Sequence, residues 1–374
     1  MLKAKLGANE LKIAILGSRG IPVSYGGFET LAEELSTRLI HKGHDVTVYC
    51  CGPYSITGES TYKGVNRVVL PTIRTKVLEK PVFAFFSLLS SSVKNYDVIL
   101  MLGISVSFFC FIPRLSGKKV IINIDGLEWQ RRKWGPVISR LLRFEERMAG
   151  VMADTVVTDC RWVKEYYSER YGKDSVYVAY GAEIIDYPPG DALRKFGLNK
   201  DEYILYVSRF EPENNALLVR EAFDSIENPA KKLVMVGDAP YADAYIKQVK
   251  NTGNPAIIFT GYQYGDAYRE LLSNAYLYIQ ATEVGGTHPA LVEAMGAGNC
   301  VLANDVPEHR EVLRDAGFYY KGKEDLKEKM MFLMDNKENV KEKKKAAIEV
   351  IEREYSWEKI TDEYERLFLN LVEQ

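Results

Sequence analysis

The chain has 374 residues, of which 47% are hydrophobic and 27% charged, and its formal net charge is −2. This length exceeds the size at which a single hydrophobic core usually stops growing, so it predicts two domains, and the composition excludes a disordered or fibrous protein. The nearly balanced charge provides no overall attraction for nucleic acid, so any anion site must be local.

The cysteines and the N-terminal residues indicate the cellular compartment of the protein. Five scattered cysteines are an odd number and lack the spacing of a disulfide framework or a zinc site. The first residues lack the apolar core of a signal peptide, and Lys94 and Asp97 interrupt the apolar region that runs from position 82 to 112. We therefore expect a cytoplasmic protein without a transmembrane helix.

Short β-rich apolar runs alternate with helical patterns through the first half of the chain. This alternation is typical of βαβ units and predicts a parallel sheet. The predicted strands are 12–16, 46–50, 98–102, 120–124, 155–158 and 176–179.

A glycine pair follows the first predicted strand. Phe28, Leu31 and Leu35 have helical spacing, so a helix should begin just after Gly26 and Gly27. Glycines at a helix N-terminus allow a phosphate to approach free N–H groups, although a tight turn without a ligand explains the pair equally well. The spacing does not fit the GxGxxG fingerprint of NAD-binding proteins.

Two segments of the first half have compositions that would suit contact with lipid. The run ISVSFFCFIPRL at 104–115 is predicted to be buried packing of the first domain, with contact to a lipid tail as the alternative. Downstream, WQRRKWG and a helix with Arg140, Arg143 and Arg147 form a basic, aromatic surface that suits a phosphate-bearing acceptor or anionic lipid. An ordinary solvated helix is the alternative.

The residue pattern changes after Tyr180, where prolines, glycine and polar residues indicate a domain linker. The alternation then resumes, so the second half repeats the architecture of the first. Arg209 directly follows a predicted strand, where its guanidinium could meet a diphosphate, with a surface ion pair as the alternative. The predicted strands are 203–207, 233–236, 256–260, 276–280 and 300–303.

A second glycine loop, EVGGTHPALVEAMGAG, leads into another helix. Thr287 is predicted to cap this helix, Pro289 suits its first turn, and Gly298 suits its end. Glu293 lies one turn inside, where its carboxylate can accept hydrogen bonds from sugar hydroxyls or simply favour the helix dipole. After a charged region, the last segment has apolar residues at helical spacing and predicts a helix that covers an apolar surface.

Four motifs in order, GSRGIPVSYGGFET, DGLEWQRRKWG, SRFEPENN and EVGGTHPALVEAMGAG, resemble those of the retaining family-4 glycosyltransferases, and specifically their bacterial rhamnosyltransferase-type branch. The resemblance implies an α/β protein of two Rossmann-like domains, the glycosyltransferase B fold, with the donor in the cleft between them. The implied domains are an acceptor domain at 1–185, a nucleotide-sugar domain at 186–352 and a terminal helix at 353–374 that returns to the first domain.

The resemblance also assigns roles to residues. Arg209 would bind diphosphate, Glu293 the ribose, and Gly26 and Gly27 would close over the phosphates. The remaining implied donor contacts are Glu283, Gly285, Gly286 and Thr287, and the candidate acceptor contacts are Tyr25, Glu128, Trp129 and Arg132.

Three departures from the family pattern stand out. Asn214 replaces a lysine that many relatives carry, which removes a phosphate charge. The usual pair of glutamates eight positions apart is broken, because Gly285 stands where the first is expected and Glu283 is the nearest carboxylate. Asp125 occupies the place of a histidine near the reacting sugar, so we predict Asp125, Arg209 and Glu293 as the catalytic group, although Asp125-Gly126 is also an ordinary turn sequence.

The predicted function is a retaining hexosyltransferase of surface polysaccharide biosynthesis. It would move a hexose or deoxyhexose, with L-rhamnose from dTDP-rhamnose favoured and a UDP-linked donor as the alternative, to a glycan or lipid-linked saccharide. No cofactor is expected, and no metal site, because the four histidines lack ligand spacing. Weak contact with the inner membrane face is an open partner hypothesis. The alternatives are a nucleotide-sugar epimerase of the same fold and a noncatalytic sugar-nucleotide-binding subunit.

Overall fold

A computed structural model describes residues 10–23, 26–55, 59–73, 75, 78–132, 134–239 and 243–374. The chain forms two compact units, one made of Met1–Tyr180 with Trp357–Gln374 and the other of Gly181–Ser356. The unit boundaries thus follow Tyr180 and Ser356, whereas the predicted boundaries follow positions 185 and 352.

Within its described residues, the N-terminal unit contains an eight-stranded sheet in the order β3-β4-β2-β1-β5-β6-β7-β8. All neighbours are parallel except β3 and β4, which pair antiparallel. The strands are β1 (Lys12–Leu16), β2 (Asp45–Cys51), β3 (Thr61–Tyr62), β4 (Val65–Leu70), β5 (Val98–Leu102), β6 (Lys119–Ile124), β7 (Thr155–Thr158) and β8 (Val176–Tyr177).

Helices cover the strands of this unit. The first helix illustrates how the sequence predicts these elements. Its Leu31, Leu35 and Leu39 recur at helical spacing, and all three are buried. Three short 3-10 turns lie between the regular elements in the described residues of this unit. The helices are α1 (Gly27–His41), α2 (Glu79–Ser92), α3 (Phe111–Leu115), α4 (Pro136–Met152) and α5 (Arg161–Tyr171), and the 3-10 turns are Gly52–Tyr54, Ser107–Cys110 and Glu128–Gln130.

The C-terminal unit has, over the residues described, a six-stranded parallel sheet in the order β11-β10-β9-β12-β13-β14. Its strands are β9 (Tyr203–Val207), β10 (Lys232–Val236), β11 (Ile257–Gly261), β12 (Leu277–Gln280), β13 (Cys300–Asn304) and β14 (Phe318–Tyr320). Its helices are α6 (Asp191–Phe196), α7 (Ala216–Asp224), α8 (Asp243–Lys250), α9 (Gly265–Ser273), α10 (Pro289–Gly296), α11 (Pro307–Leu313), α12 (Gly322–Asp335) and α13 (Lys337–Val350), followed by a π-helical turn, Ile351–Tyr355.

Each sheet reverses its strand order at one point. In the C-terminal unit the chain runs outward from β9 to β11 and then returns to place β12 on the other side of β9. The N-terminal unit does the same between β1 and β5. Open parallel sheets bind ligands at the carboxyl ends of the strands that flank such a reversal. The predicted α/β class with two Rossmann-like units is therefore confirmed, and each unit has a topologically defined binding edge.

The last helix, α14 (Trp357–Glu373), belongs to the N-terminal unit, as predicted. The Asn123 side-chain amide on β6 donates a 2.7 Å hydrogen bond to the hydroxyl of Tyr364, and both side chains are buried. At the surface, the Lys42 ammonium lies 2.7 Å from carboxylate oxygens of both Asp362 and Glu365. The helix therefore completes the unit through a buried contact and an ion-pair cluster.

Three predictions about this fold need correction. Strands β3, β4 and β14 were not anticipated. The linker region contains a short helix, α6, because Gly190 ends the irregular stretch and Asp191 favours a first helical turn. The run at 104–115 is not uniformly buried, because Phe108 and Phe111 are partly exposed and Leu115 is largely exposed. None of the helices in the described part of the chain is long and apolar enough to cross a bilayer.

Candidate active site

Arg209 lies at the carboxyl end of β9, two residues past the end of the strand. Its main-chain carbonyl accepts hydrogen bonds from the Asn214 side chain at 2.8 Å and from the Glu211 N–H at 2.7 Å. Its guanidinium is 3.7 Å from the Glu211 carboxylate, and its side chain is 31% exposed. The backbone of the arginine is thus fixed, while its charge remains accessible to a ligand.

Asn214, which replaces the lysine of many relatives, has a structural position. Its side chain is buried and donates to the carbonyl of Arg209, while its own carbonyl accepts a 2.6 Å hydrogen bond from the Tyr206 hydroxyl. Asn214 therefore shapes the loop that carries Arg209. This role explains how an uncharged residue fits at a position where a phosphate-binding lysine is expected.

The neighbouring strand β10 ends against the same loop. Gly237 has φ +139°, and a Cβ atom there would lie 1.8 Å from the Ser208 carbonyl oxygen. Phe210 donates its N–H to the Asp238 carbonyl at 3.1 Å. Since only glycine fits this close approach, Gly237 holds the arginine loop against β10.

The second glycine loop, 281–288, is tied to the arginine loop. The Asn215 amide donates 2.9 Å hydrogen bonds to the Ala281 carbonyl and to Oε1 of Glu283, and the Glu283 N–H donates to the Glu213 carbonyl at 2.9 Å. These bonds join the two loops that follow β9 and β12, the strands that flank the reversal point. The sequence placed Arg209 and Glu283 in separate motifs, and the structure brings these motifs together.

The glycine loop differs in one detail from its prediction. His288, not Thr287, is the N-cap residue of α10, and its side chain makes no cap hydrogen bond. Thr287, Gly285 and Gly286 are buried. A Cβ atom on Gly285 would lie 2.4 Å from Cε1 of His288, so the imidazole lies directly against that glycine. Pro289 occupies the first turn, as predicted.

Glu293 lies one turn into α10 and is half-buried. Its Oε2 accepts a 2.7 Å hydrogen bond from the Tyr268 hydroxyl on α9. Burial and the nearby Glu293 carboxylate raise the pKa of Tyr268 well above its usual value, so the phenol remains a proton donor. Glu293 is thus oriented by a residue that the sequence did not single out.

A buried histidine supports the glycine loop from behind. His309 is fully buried, and burial lowers its pKa to about 4, so the imidazole is neutral. Its Nδ1 lies 3.1 Å from the Asn304 carbonyl, which fixes the proton there, and its Nε2 lies 3.3 Å from the Gln280 amide nitrogen. The His309 and His288 rings are 4.9 Å apart.

In the N-terminal unit, α1 begins at Gly27, and Gly26 is its N-cap. The preceding loop is tied to this helix, because the Arg19 N–H donates to Glu29 and the Val23 N–H donates to Glu33, each at 2.7 Å. Two carboxylates of α1 thus hold the glycine-containing loop. Tyr25, predicted as an acceptor contact, lies outside the described residues.

Asp125 follows β6 and is half-buried at the carboxyl edge of the N-terminal sheet. Gly126 has φ +67°, so the strand ends in a left-handed turn, as Asp-Gly predicts. Burial, together with Asp125 and Asp159, raises the pKa of Tyr180 well above its usual value. Asp125 therefore lies in an acidic neighbourhood, and its catalytic role stays a prediction.

The other predicted acceptor residues have different surroundings. Glu128 accepts hydrogen bonds from Arg131 Nε at 2.6 Å and Trp134 Nε1 at 3.0 Å. Its carboxylate is therefore part of a local hydrogen-bond network. The Arg143 guanidinium lies 3.9 Å from the centroid of the Trp129 ring, and Trp129 lines an open groove of about 910 Å³. Arg132 is exposed.

The described residues contain no group of three or more histidine, cysteine or acidic side chains that could hold a metal ion. The metal-independent chemistry expected from the sequence stays a prediction.

Comparison with protein families distinguishes the two halves. Residues 191–350 match the family described as glycosyl transferases group 1, and residues 11–183 match a domain of unknown function, DUF1972. The chain is a glycosyltransferase. Its group 1 region contains both joined loops, Arg209 and Glu293. A search of curated proteins finds no match.

Solved structures share the fold of this glycosyltransferase over nearly its whole length. Sucrose-phosphate synthase of Thermosynechococcus elongatus is 17% identical, with a TM-score of 0.77 over 97% of this chain and 99% of that one. HepE of Anabaena, in complex with UDP-glucose, is 15% identical, with a TM-score of 0.75 over 96% and 99%. The catalytic domain of starch synthase IV from Arabidopsis thaliana, bound to ADP and acarbose, is 13% identical, with a TM-score of 0.75 over 98% and 100%. These likenesses confirm the glycosyltransferase B fold.

Proposed function

We propose that this glycosyltransferase moves a hexose or deoxyhexose from a nucleotide diphosphate sugar to a glycan or lipid-linked saccharide, with retention of anomeric configuration. The observation that carries the donor assignment is the joining of the Arg209 loop to the 281–288 loop at the strand reversal of the C-terminal sheet. A fixed arginine and a glycine-rich helix N-terminus at one sheet edge suit a diphosphate.

The similar structures support this class of donor. HepE is described in complex with UDP-glucose and starch synthase IV with ADP. The resemblance to the rhamnosyltransferase-type branch favours dTDP-rhamnose for this chain, with surface polysaccharide as the product. The contacts from backbone groups and Arg209 address the diphosphate, which these donors share, so donor choice must come from the base and the sugar.

The proposed chemistry needs the diphosphate to leave while its negative charge is stabilised. The bond between the anomeric carbon and the diphosphate oxygen breaks, and a bond to the acceptor oxygen forms on the same face. The acceptor proton passes to the departing diphosphate. Arg209 and the N–H groups of the glycine loop would stabilise the developing charge, and Asp125 would orient the acceptor hydroxyl or the sugar.

A thermal-shift panel of dTDP, UDP, GDP and ADP and their sugars tests the donor assignment. At a ligand concentration 100 times Kd, binding contributes about 2.7 kcal/mol, or about 5 to 11 °C in Tm. Arg209→Ala should remove most of the shift. Arg194→Ala is the matched control, because Arg194 is a largely exposed arginine of the same unit.

Two results would count against this proposal. If no nucleotide raises Tm, or if Arg209→Ala and Arg194→Ala behave alike, the joined loops do not bind diphosphate. With the donor identified, NMR of the first-formed product establishes its anomeric configuration. Inversion would exclude a retaining reaction.

A further inference from the structure

Helix α4 carries a line of exposed apolar side chains. Val137, Leu141, Phe144 and Val151 are spaced by four, three and seven residues, which places them on one face. Val137 is 74% exposed and Phe144 46% exposed. The opposite face is buried and includes Ala149. The helix therefore covers the protein core with one face and presents a second apolar face to solvent.

The charges of α4 are sorted by sign. Glu146 is buried and accepts the hydroxyls of Tyr166 and Tyr171 at 2.9 and 2.6 Å, while Glu145 is half-buried and accepts the Phe108 N–H at 3.0 Å. Burial raises the pKa of both carboxyl groups.

Its arginines are more exposed than either glutamate. Arg140, Arg143 and Arg147 are exposed and lie beside the apolar line. Along α4, which is described throughout, the charged side chains classed as exposed are therefore all positive.

The apolar face continues onto the preceding turn and helix α3. The rings of Phe108 and Phe144 are 6.1 Å apart, and those of Phe108 and Phe111 are 5.9 Å apart. We call Phe108, Phe111, Val137, Leu141, Phe144 and Val151 the apolar patch. Contiguous exposed apolar surface of this kind on a water-soluble domain marks an interaction site.

A basic groove adjoins the patch. Phe144 and Val151 line both the patch and the groove of about 910 Å³, whose other side chains include Arg143, Arg147, Arg170 and Lys173. Four cations thus border an apolar strip on the same unit. This pairing matches the two layers of an anionic membrane surface, phosphates above and hydrocarbon below.

We propose that the apolar patch docks this unit onto an anionic lipid bilayer, with the arginines of α4 and the groove on headgroup phosphates. An amphipathic helix lying in the interface inserts its apolar side chains and keeps its cations at headgroup level. The inference concerns a surface of the N-terminal unit and stands independently of the donor assignment.

Vesicle co-sedimentation with the full chain tests the proposal. We expect binding to phosphatidylcholine vesicles that contain phosphatidylglycerol, weaker binding to phosphatidylcholine alone, and a decrease with added salt. Arg140→Glu with Arg147→Glu should weaken binding about 30-fold or more, since each surface cation contributes about five-fold. The matched control is Lys341→Glu with Lys345→Glu, the same charge change on two exposed lysines of α13.

A fluorescence reporter tests insertion directly. Phe144→Trp should shift its emission to the blue on vesicles and be quenched by brominated acyl chains. Phe332→Trp is the control, because Phe332 is a 47% exposed phenylalanine on α12.

Several outcomes would overturn the proposal: no sedimentation with anionic vesicles, equal loss in the Lys341/Lys345 control, or equal quenching at both tryptophans. Melting curves establish whether the variants are folded. Donor-induced thermal shifts measured on the same samples distinguish a failed docking surface from a failed donor assignment.

Discussion

The Tyr268 hydroxyl donates a 2.7 Å hydrogen bond to the Glu293 carboxylate, which links α9 to α10. The bond fixes one oxygen of the carboxylate that we assign to the proposed donor site. It also restrains the rotamer of a side chain that lies one turn into α10.

We predict that Glu293→Gln raises the donor Kd about 10- to 100-fold, the range for losing a hydrogen bond to a charged acceptor. Tyr268→Phe should raise it several-fold, because the carboxylate loses its orienting partner. Calorimetric titration with the nucleotide sugar measures both. Tyr187→Phe is the control, because Tyr187 makes a similar 3.0 Å bond to Asp266 at the surface. If Tyr268→Phe binds like wild type, Glu293 is not positioned in this way.

Asn214→Lys restores the residue that the family pattern leads one to expect. We predict that it lowers activity and stability, because the side chain at this position is buried and supports the Arg209 carbonyl. Leaving such a group unsatisfied costs about 1–3 kcal/mol. Steady-state kinetics and urea unfolding of Asn214→Lys and Asn214→Ala provide the check. A gain in kcat with lysine would show that the position faces the phosphates.

The stability of the C-terminal unit should depend on His309. The unfolded histidine titrates near its usual value of 6.5 and the folded one at about 4, so the unfolded state binds more protons between these values. Stability is therefore lost as pH falls from 6.5 to 4, by about 3 kcal/mol from this group.

Denaturant unfolding of wild type and His309→Asn at several pH values measures this contribution. The variant should have the shallower pH dependence. His41→Asn, at an exposed histidine in the other unit, is the control. Identical pH slopes for wild type and His309→Asn would refute the assignment.

Removing contacts of α14 should destabilise the N-terminal unit. Tyr364→Phe leaves the buried Asn123 amide without its hydroxyl partner and should cost about 1–3 kcal/mol. Phe368→Ala, at a fully buried ring, should cost about 3–5 kcal/mol. Val372→Ala, at a partly exposed position on the same helix, should stay within about 0.5 kcal/mol. Comparable losses of stability in all three variants would contradict the prediction that the buried contacts of α14 stabilise the unit more than its exposed end.

The alternation of apolar runs and helical patterns predicts most of the architecture, because strands buried on both faces read as continuous β-branched runs. Strand β4 escapes this rule. It contains Asn66 and Arg67, and the buried Arg67 guanidinium is accommodated by the Glu59 carbonyl at 3.0 Å. Such compensation comes from the segment before the β3–β4 hairpin, so the pattern of apolar residues does not reveal it. Strand β14 has only three residues, too few to show a period.

The sequence predicts the motifs of the candidate site, but not the hydrogen bonds that join them. Arg209 and Glu283 can be picked out because they follow predicted strands, and Glu293 because it lies one turn into the helix after the glycine loop. Tyr268 cannot, since it lies in an unremarkable sequence and its partner is 25 positions away. Asn215 belongs to the SRFEPENN motif, but its role depends on a partner 68 positions away. The N-cap shift from Thr287 to His288 follows from Pro289, which favours extended backbone in the residue before it.

Helix α14 makes the N-terminal unit discontinuous, with residues 181–356 inserted between its two parts. At a synthesis rate of about 5–20 residues per second, the ribosome needs roughly 9 to 35 seconds to pass through this insertion. During that interval, the nascent first unit exposes the apolar surface that Tyr364 and Phe368 later cover. A chaperone that binds exposed apolar surfaces would therefore have the most time to bind the N-terminal unit. Fragments that end at residue 180 should aggregate unless the terminal helix is supplied as a separate peptide.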